Sequence, residues 1–241
     1  MNTELSSEQA SDLRYLDPKV PLSGHFSHLN WANTLSQLFN KPGLRVLEIG
    51  SREVTGPSSA RDQLFAQATY VGMDVQAGPN VDIVGDAHRL SSYLDEAEPF
   101  DLIYSSAVFE HLAMPWVVAG EIAKLLKVGG CVFIETHFSF TSHERPWHFF
   151  QFSDQALKVL FSPALGYRCV EAGMDNPMKG TFTSLSAPYL RGQVVGGLYC
   201  HSQYFGMKER SVALPTWPEV DLEALTGGAY PSAEESRSNR R

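Results

Sequence analysis

Short apolar runs, each ending in a glycine, an acid or a small polar residue, alternate with stretches of helical periodicity, and this alternation restricts the fold more than any other feature. The runs Arg45–Ile49, Tyr70–Asp74, Val81–Val84, Phe100–Ser105 and Cys131–Thr136 read as strands, being too short and too apolar for surface helices. A helix is predicted over Ser27–Phe39, where Leu29, Trp31, Leu35, Leu38 and Phe39 recur at helical spacings before Lys41-Pro42-Gly43 stops the pattern. Others are predicted over Ser58–Gln67 and over Pro115–Leu126, where Val118, Ile122, Leu125 and Leu126 share one face and Pro115 suits a first turn. Gly129-Gly130 then turns the chain into the next strand. Strands alternating with helices over short connections imply a parallel sheet, because parallel neighbours need crossovers, and helices must then cover both faces. The class is α/β, doubly wound.

Further along, Ser153–Phe161 reads as a helix with Ser153 as its N-cap, followed by strands over Tyr167–Met174 and Val194–Phe205. The intervening Asp175 to Gly192, rich in Pro, Gly, Ser and Thr, is expected to form a lid or substrate loop. With 241 residues, 43% of them hydrophobic and 19% charged, the chain can bury one sizeable core. It divides into an N-terminal arm (1–24), one main domain (25–210) and a C-terminal tail (211–241) rich in Pro and Gly, polar from Ser232 onward. The net charge of −8 supplies no overall positive field for phosphates, so nucleic acid is not expected as a partner. No stretch of about 18 apolar residues exists, so no membrane partner is expected. Cys131, Cys169 and Cys200 are odd in number and widely spaced, which fits neither a disulfide framework nor a metal knuckle, and Met1 to Asp12 lacks an apolar secretion core; a cytoplasmic location is expected, as a monomer or homodimer.

In an open α/β sheet the ligand sits outside the carboxyl ends of the strands, where strand order reverses. The strand ends read Val46-Leu47-Glu48-Ile49-Gly50-Ser51, Val71-Gly72-Met73-Asp74, Val84-Gly85-Asp86-Ala87 and Tyr104-Ser105-Ser106. Gly50 lets a ligand approach the backbone, and Asp74, 24 positions on, stands where an acid accepts both hydroxyls of a ribose. Asp86 can accept from an exocyclic adenine amine. The loop Gly50-Ser51-Arg52-Glu53-Val54-Thr55-Gly56 is not G-x-G-x-x-G, so the pyrophosphate cradle of a nicotinamide enzyme is missing. A ligand with adenosine and no phosphate fits better; S-adenosylmethionine is one, and its cationic groups suit Glu48.

From about Arg45 to Met174 the chain resembles the class I S-adenosylmethionine-dependent methyltransferases of the small-molecule branch. The resemblance is carried by VLEIG, YVGMD and VGDAHRL, by the run Phe100 to Leu112 (FDLIYSSAVFEHL), and by Leu125-Leu126-Lys127-Val128-Gly129-Gly130. It implies a seven-stranded, mostly parallel, Rossmann-like sheet with a reversed last strand. It also implies that Glu48, Gly50 and Ser51 line the methionine part of the cofactor, Asp74 the ribose, Asp86 and Ala87 the adenine, with Ser105 as the contact from the fourth strand. Ser51-Arg52 replaces the usual second glycine, although a similar sub-branch has GS followed by a later NG or TG, matched by Gly50-Ser51 and Thr55-Gly56.

Methyl transfer is an in-line displacement, so positioning and desolvation dominate, and a base is needed only if the acceptor loses a proton. The acceptor side lies beyond the fourth and fifth strands, where Thr136 to Ser153 (THFSFTSHERPWHFFQFS) sets three histidines among aromatics. The similar sub-branch shows a histidine, a proline three residues on and an aromatic-Arg-Phe-Thr run; His143, Pro146, Phe149, Phe152 and Ser153 match, while Gln151 and His148 stand where Arg and Asp are usual. His143 is the first candidate for general base or acceptor-orienting group and His148 the second. At least half of Trp147, Phe149, Phe150 and Phe152 are expected in the core. His143-Glu144 with His148 has the wrong spacing for a zinc protease and is interrupted by Pro146. Glu110-His111 is similar to the E-x-x-E-H run of quinone-pathway O-methyltransferases, but Ala107 replaces the first acid, so no required metal is expected. Asp175-Asn176-Pro177-Met178 lacks the second proline and aromatic of an NPPY motif. The expected activity is therefore transfer of a methyl group from S-adenosylmethionine to a small-molecule acceptor, most readily at oxygen. The alternative is a module that binds S-adenosylmethionine or S-adenosylhomocysteine without turnover.

Overall fold

The computed structural model describes residues 6–54, 60–94, 98–213 and 221. Seven strands form one sheet: β1 (Arg45–Ile49), β2 (Thr69–Asp74), β3 (Ile83–Val84), β4 (Phe100–Ser106), β5 (Leu126–His137), β6 (Tyr167–Thr181) and β7 (Val194–Lys208). Their spatial order is β3-β2-β1-β4-β5-β7-β6, parallel from β3 through β5, with β7 antiparallel to both β5 and β6. Strand order reverses between β1 and β4, which puts the ligand crevice at the carboxyl ends of those two strands. The described helices are α1 (Ser7–Asp12), α2 (Trp31–Phe39), α3 (Pro115–Leu125) and α4 (Asp154–Leu160). Ser153 caps α4 by accepting from the Ala156 amide at 3.2 Å, as its sequence position predicts.

Because strand side chains alternate, the sheet sorts its residues into two cores. Leu47, Ile49, Ile103, Val132 and Ile134 pack against Val118 and Ile122 of α3 and Leu157 of α4. Val46, Leu102, Tyr104 and Phe133 pack on the other face against Leu35 of α2, Phe26 and Phe65. At about 1.5–3 kcal/mol for each fully buried large side chain, these two layers hold the strand ends in fixed register. Among the described residues no helix is long and apolar enough to cross a membrane.

Three local readings change. The helix predicted over Ser58–Gln67 is only a single π-helical turn at Ala60–Leu64, and residues 55–59, including Thr55-Gly56, lie outside the described residues. The Gly129-Gly130 turn is absorbed into β5 as an irregularity where the register with β4 jumps from Leu126 to Cys131. The first part of the expected lid over Asp175–Gly192 is strand: β6 runs on to Thr181 and pairs with β7, leaving residues 182–193 as the connection. Pro177 and the polar residues around it are tolerated because β6 is an edge strand. The tail beyond residue 213 lies outside the described residues apart from Asp221.

The arm folds across the far end of this hairpin. Leu22 bridges to Met174, the Asp17 amide donates to the Tyr199 hydroxyl at 3.3 Å, and the Glu171 carboxylate accepts from the amides of Gly24, His25 and Phe26 at 2.8–3.2 Å.

Candidate active site

At the ends of β1 and β2 the sequence candidates come together. Gly50 has φ +84°, and a Cβ there would stand 2.1 Å from a methyl of Val108, so glycine is required by both conformation and space. The Gly50 and Ser51 amides both donate to Met73 O, at 2.7 and 3.0 Å. The Ser51 hydroxyl is buried without a protein partner. Asp74 accepts from the Gln76 amide at 2.8 Å, and Arg52 reaches it through its backbone amide at 3.4 Å and its Nε at 3.5 Å. Glu48 Oε2 accepts from the hydroxyls of Tyr104, at 2.7 Å, and Tyr70. Burial pushes the Glu48 carboxyl up against the pull of these two bonds, and burial together with the Glu48 charge pushes both phenols up, so they remain donors.

Asp86 caps the 3-10 helix Ala87–Tyr93. Its Oδ1 accepts from the His88 amide at 2.9 Å and from His88 Nδ1 at 2.6 Å, while His88 Nε2 accepts from the Met114 amide at 3.1 Å. The Met114 bond places the ring proton on Nδ1, facing the acid. Burial works to raise the Asp86 carboxyl, but the His88 bonds outweigh it and hold it low. Ala87 packs against the core at the first position of that helix. Ser105 faces inward: it is fully buried and donates to Ile49 O at 2.9 Å, tying β4 to β1, so Ser106 is the β4 serine whose hydroxyl reaches the neighbouring strand end, donating to Glu135 Oε1 at 3.0 Å. A strand-end glycine without room for a side chain, an unpartnered buried hydroxyl and two solvent-reaching carboxylates fit an adenosyl cofactor, which offers ribose hydroxyls and an amine as donors.

The edge beyond β4 and β5, where the sequence reading expects the acceptor, gathers residues distant in sequence. Glu110 follows β4 in a 3-10 turn and is fully buried, its Oε2 accepting from Thr136 Oγ1 at 2.6 Å. Its Oε1 stands 2.6 Å from Nδ1 of His137 at the end of β5, off the direction of the ring N–H, so neither atom has a hydrogen-bond partner. His111 Nε2 faces His143 Nε2 at 3.1 Å, and the His143 amide approaches His148 Nδ1 at 3.4 Å. Burial, then the neighbouring His143 and His111, push the His148 imidazole down. The loop carrying these histidines is pinned by its backbone: Phe149 and Phe150 amides donate to Glu110 O at 2.9 and 3.3 Å, and the Phe152 amide to His137 O at 2.9 Å. Beside it opens a shallow cleft lined by Ser142, His148, Phe149, Phe150 and Gln151. Of the four loop aromatics only Phe152 joins the core; Trp147 is 64% exposed, and Phe149 and Phe150 are also exposed, because the pinned loop turns their side chains outward.

Sequence reasoning passed over a second group at the same edge. Glu135 of β5, nearly fully buried, is approached by His28 Nδ1 at 3.1 Å and accepts from Gln203 Nε2 at 3.0 Å, and His28 stacks on His201 of β7 with ring centroids 4.3 Å apart. The Glu135 bond pushes the His28 imidazole up, while burial pushes His201 down. Alternation along Glu135-Thr136-His137 was the available signal for Glu135; His28 and His201 come to it only through the segment between the arm and α2 and through the reversed strand.

A family model described as "Methyltransferase domain" matches residues 24–175. No curated protein matches the chain. Among solved structures it is similar to the 1,6-didemethyltoxoflavin-N1-methyltransferase of Burkholderia thailandensis, with a TM-score of 0.52 at 14% identity over 74% of this chain and 76% of that one. It is also similar to a SAM-dependent methyltransferase from Aquifex aeolicus (TM-score 0.47, 14% identity, 82% and 93% covered) and to TehB from Haemophilus influenzae (TM-score 0.46, 16% identity). For TehB the match takes in 73% of this chain and 61% of that one, so the chain spans under two thirds of that relative's length. With the family model covering more than half of the sequence and the sheet order carrying its strand ends, the chain belongs to the methyltransferase-domain family and is a class I S-adenosylmethionine-dependent methyltransferase.

Proposed function

We propose that the protein methylates a small or medium-sized acceptor at oxygen, with the acceptor seated in the cleft beside His148. The observation that carries this reading is the pinning of the histidine and aromatic loop to the Glu110 carbonyl, a few residues past the β4 end, which sets the cleft beside the strand ends that offer Gly50 and Ser51. When bound, the cofactor supplies a methyl carbon activated by its sulfonium charge. Glu48, Gly50 and Ser51 would hold its methionine part, Asp74 its ribose, and Asp86 with Ala87 its adenine. The exposed rings of Phe149 and Phe150 exclude water from an acceptor lying between them and the sheet edge. An acceptor hydroxyl must lose its proton as the new carbon–oxygen bond forms, and His148 Nε2, which has no protein partner, is placed to receive it. His143, with Thr141 O and His111 on its two ring nitrogens, orients the loop and the acceptor.

The cleft is shallow and the net charge is −8, which supports a small molecule over a nucleic acid. The three cysteines are unpaired, which supports a reducing, cytoplasmic setting. The test is a thermal shift with S-adenosylhomocysteine against an NADH control. At about 100 times Kd, stabilisation of about 2.7 kcal/mol corresponds to roughly 5–10 °C for a chain of this size. A selective shift followed by turnover on hydroxylated acceptors is the expected result; a shift with no turnover on a broad acceptor panel would favour a binding-only role, and a shift with NADH alone would overturn the reading.

A further inference from the structure

Four side-chain atoms from three separate segments converge at the acceptor edge: Glu110 Oε1 and His111 Nε2 after β4, His137 Nδ1 at the end of β5, and His143 Nε2 in the loop. Glu110, His137 and His143 each offer a ligand atom within 4.8 Å of the other two, and His111 Nε2 lies 3.1 Å from His143 Nε2 and 4.0 Å from Glu110 Oε1. These spacings bracket the roughly 3.3 Å between ligand atoms of a tetrahedral site with bonds of about 2.0–2.1 Å.

The hydrogen-bond pattern decides what must lie among them. His111 Nδ1 is 2.7 Å from Trp147 O, and His143 Nδ1 is 2.9 Å from Thr141 O. Carbonyls only accept, so both Nδ1 atoms carry the proton and both Nε2 atoms present lone pairs to each other. Two lone pairs at 3.1 Å need a cation between them. A shared proton would satisfy that pair alone; Glu110 Oε1 and His137 Nδ1 are buried and stand 2.6 Å from each other outside hydrogen-bond geometry, an arrangement that a cation bound by both would account for. One multivalent cation satisfies all four. The outer contacts are those a metal site uses: backbone carbonyls on the far nitrogens of His111 and His143, and Thr136 Oγ1 on the second oxygen of Glu110.

We propose that Glu110, His111, His137 and His143 bind a first-row transition-metal dication of the zinc type, in a three-imidazole, one-carboxylate site. Ala107 stands where a motif reading requires an acid, which is why no metal is expected from the local sequence; the ligands come from β5 and the loop instead. The bound ion clamps the 141–148 loop to the sheet edge and leaves one net positive charge beside the cleft, where it favours an acceptor that reacts as an anion. That last role rests on the proposed acceptor site, whereas the binding of the ion does not.

The test uses the full chain, freed of metal by dialysis against a chelator and checked by circular dichroism, then titrated with Co2+ and with Zn2+ in competition. The expected result is a visible tetrahedral Co2+ band saturating at one equivalent and displaced by Zn2+. His111→Ala and His143→Ala, both partly exposed and so tolerant of truncation, should each weaken binding at least tenfold. His201→Ala should leave it unchanged, since His201 belongs to the competing grouping of His137, Cys200 and His201, which shares only His137 with the proposed site. No saturable band in the folded wild type, wild-type affinity in His111→Ala or His143→Ala, or loss in His201→Ala alone would each overturn the site. None of these readouts depends on methyl transfer, so failure here and failure of the proposed activity are distinguishable.

Discussion

The two halves of the crevice are built differently. On the proposed cofactor side the two outer acids find partners close by in sequence: Asp86 is held by His88 and Asp74 by Gln76, each two residues away, while the buried Glu48 draws on Tyr104 across 56 positions. On the acceptor side the contacts are long-range: His111 meets His143 across 32 positions, and Glu135 meets His28 across 107. The Asp74 and Asp86 carboxylates are therefore held locally, with the unpartnered Ser51 hydroxyl beside them, whereas the other edge is assembled by the fold from several segments. A common ligand can be met by a common local pattern, while a particular acceptor needs groups recruited from several segments.

This contrast can be broken or sharpened by experiment. The largest effect is expected at His148: if its Nε2 takes the acceptor proton, His148→Ala lowers turnover by about 10²–10⁴-fold with little change in S-adenosylhomocysteine affinity. Unchanged turnover on a hydroxylated acceptor would remove His148 from the chemistry. Next comes Gly50→Ala, where a left-handed backbone and the Val108 methyl oppose the new Cβ; a stability loss of roughly 2 kcal/mol or more is expected in urea unfolding, with weakened cofactor binding. A neutral result would show that the β1 turn is softer than its satisfied bonds imply.

Asp86→Ala should weaken S-adenosylhomocysteine binding by about 1–3 kcal/mol by calorimetry and cost about 1 kcal/mol of stability through the lost cap. If only stability falls, Asp86 serves His88 and not the adenine. The smallest effect concerns pH. The Glu48 carboxyl is pushed up by burial, so the folded state holds its proton more tightly than the unfolded chain does. Its contribution favours folding below the unfolded value of about 4.3 and is lost as pH rises through the raised folded value. Relative to Glu48→Gln, the wild type should lose stability over that interval; parallel curves would mean that Tyr70 and Tyr104 fully offset the burial.

Much of the strand and turn geometry around β1 and β2 was legible because its signals are local. Val46 to Ser51 is at once a buried strand, a turn needing glycine and the start of the crevice, and Ser153 announces its helix by capping chemistry alone. Ser105 shows what such reading leaves out: its place at a strand end is legible, but that its hydroxyl turns inward to tie β4 to Ile49 O of β1 is not. The stretch Asp175–Thr181 looks like a loop by composition but is strand, since an edge position forgives proline and β7 supplies its pairing. Trp147, Phe149 and Phe150 look like core by hydrophobicity but are exposed, since backbone bonds to Glu110 turn them out.

By itself the sequence determined the alternation of strands and helices, and with it a parallel sheet whose carboxyl ends carry Glu48, Gly50, Asp74 and Asp86, because hydrophobic period and glycine conformation act over a few residues. Only the tertiary structure decided that Glu110, His111, His137 and His143 meet, that Glu135 faces His28, and that the loop aromatics face water. Those outcomes depend on the reversed β7, the arm and the register of β5, and contacts closed across tens of residues leave no period in the chain that makes them.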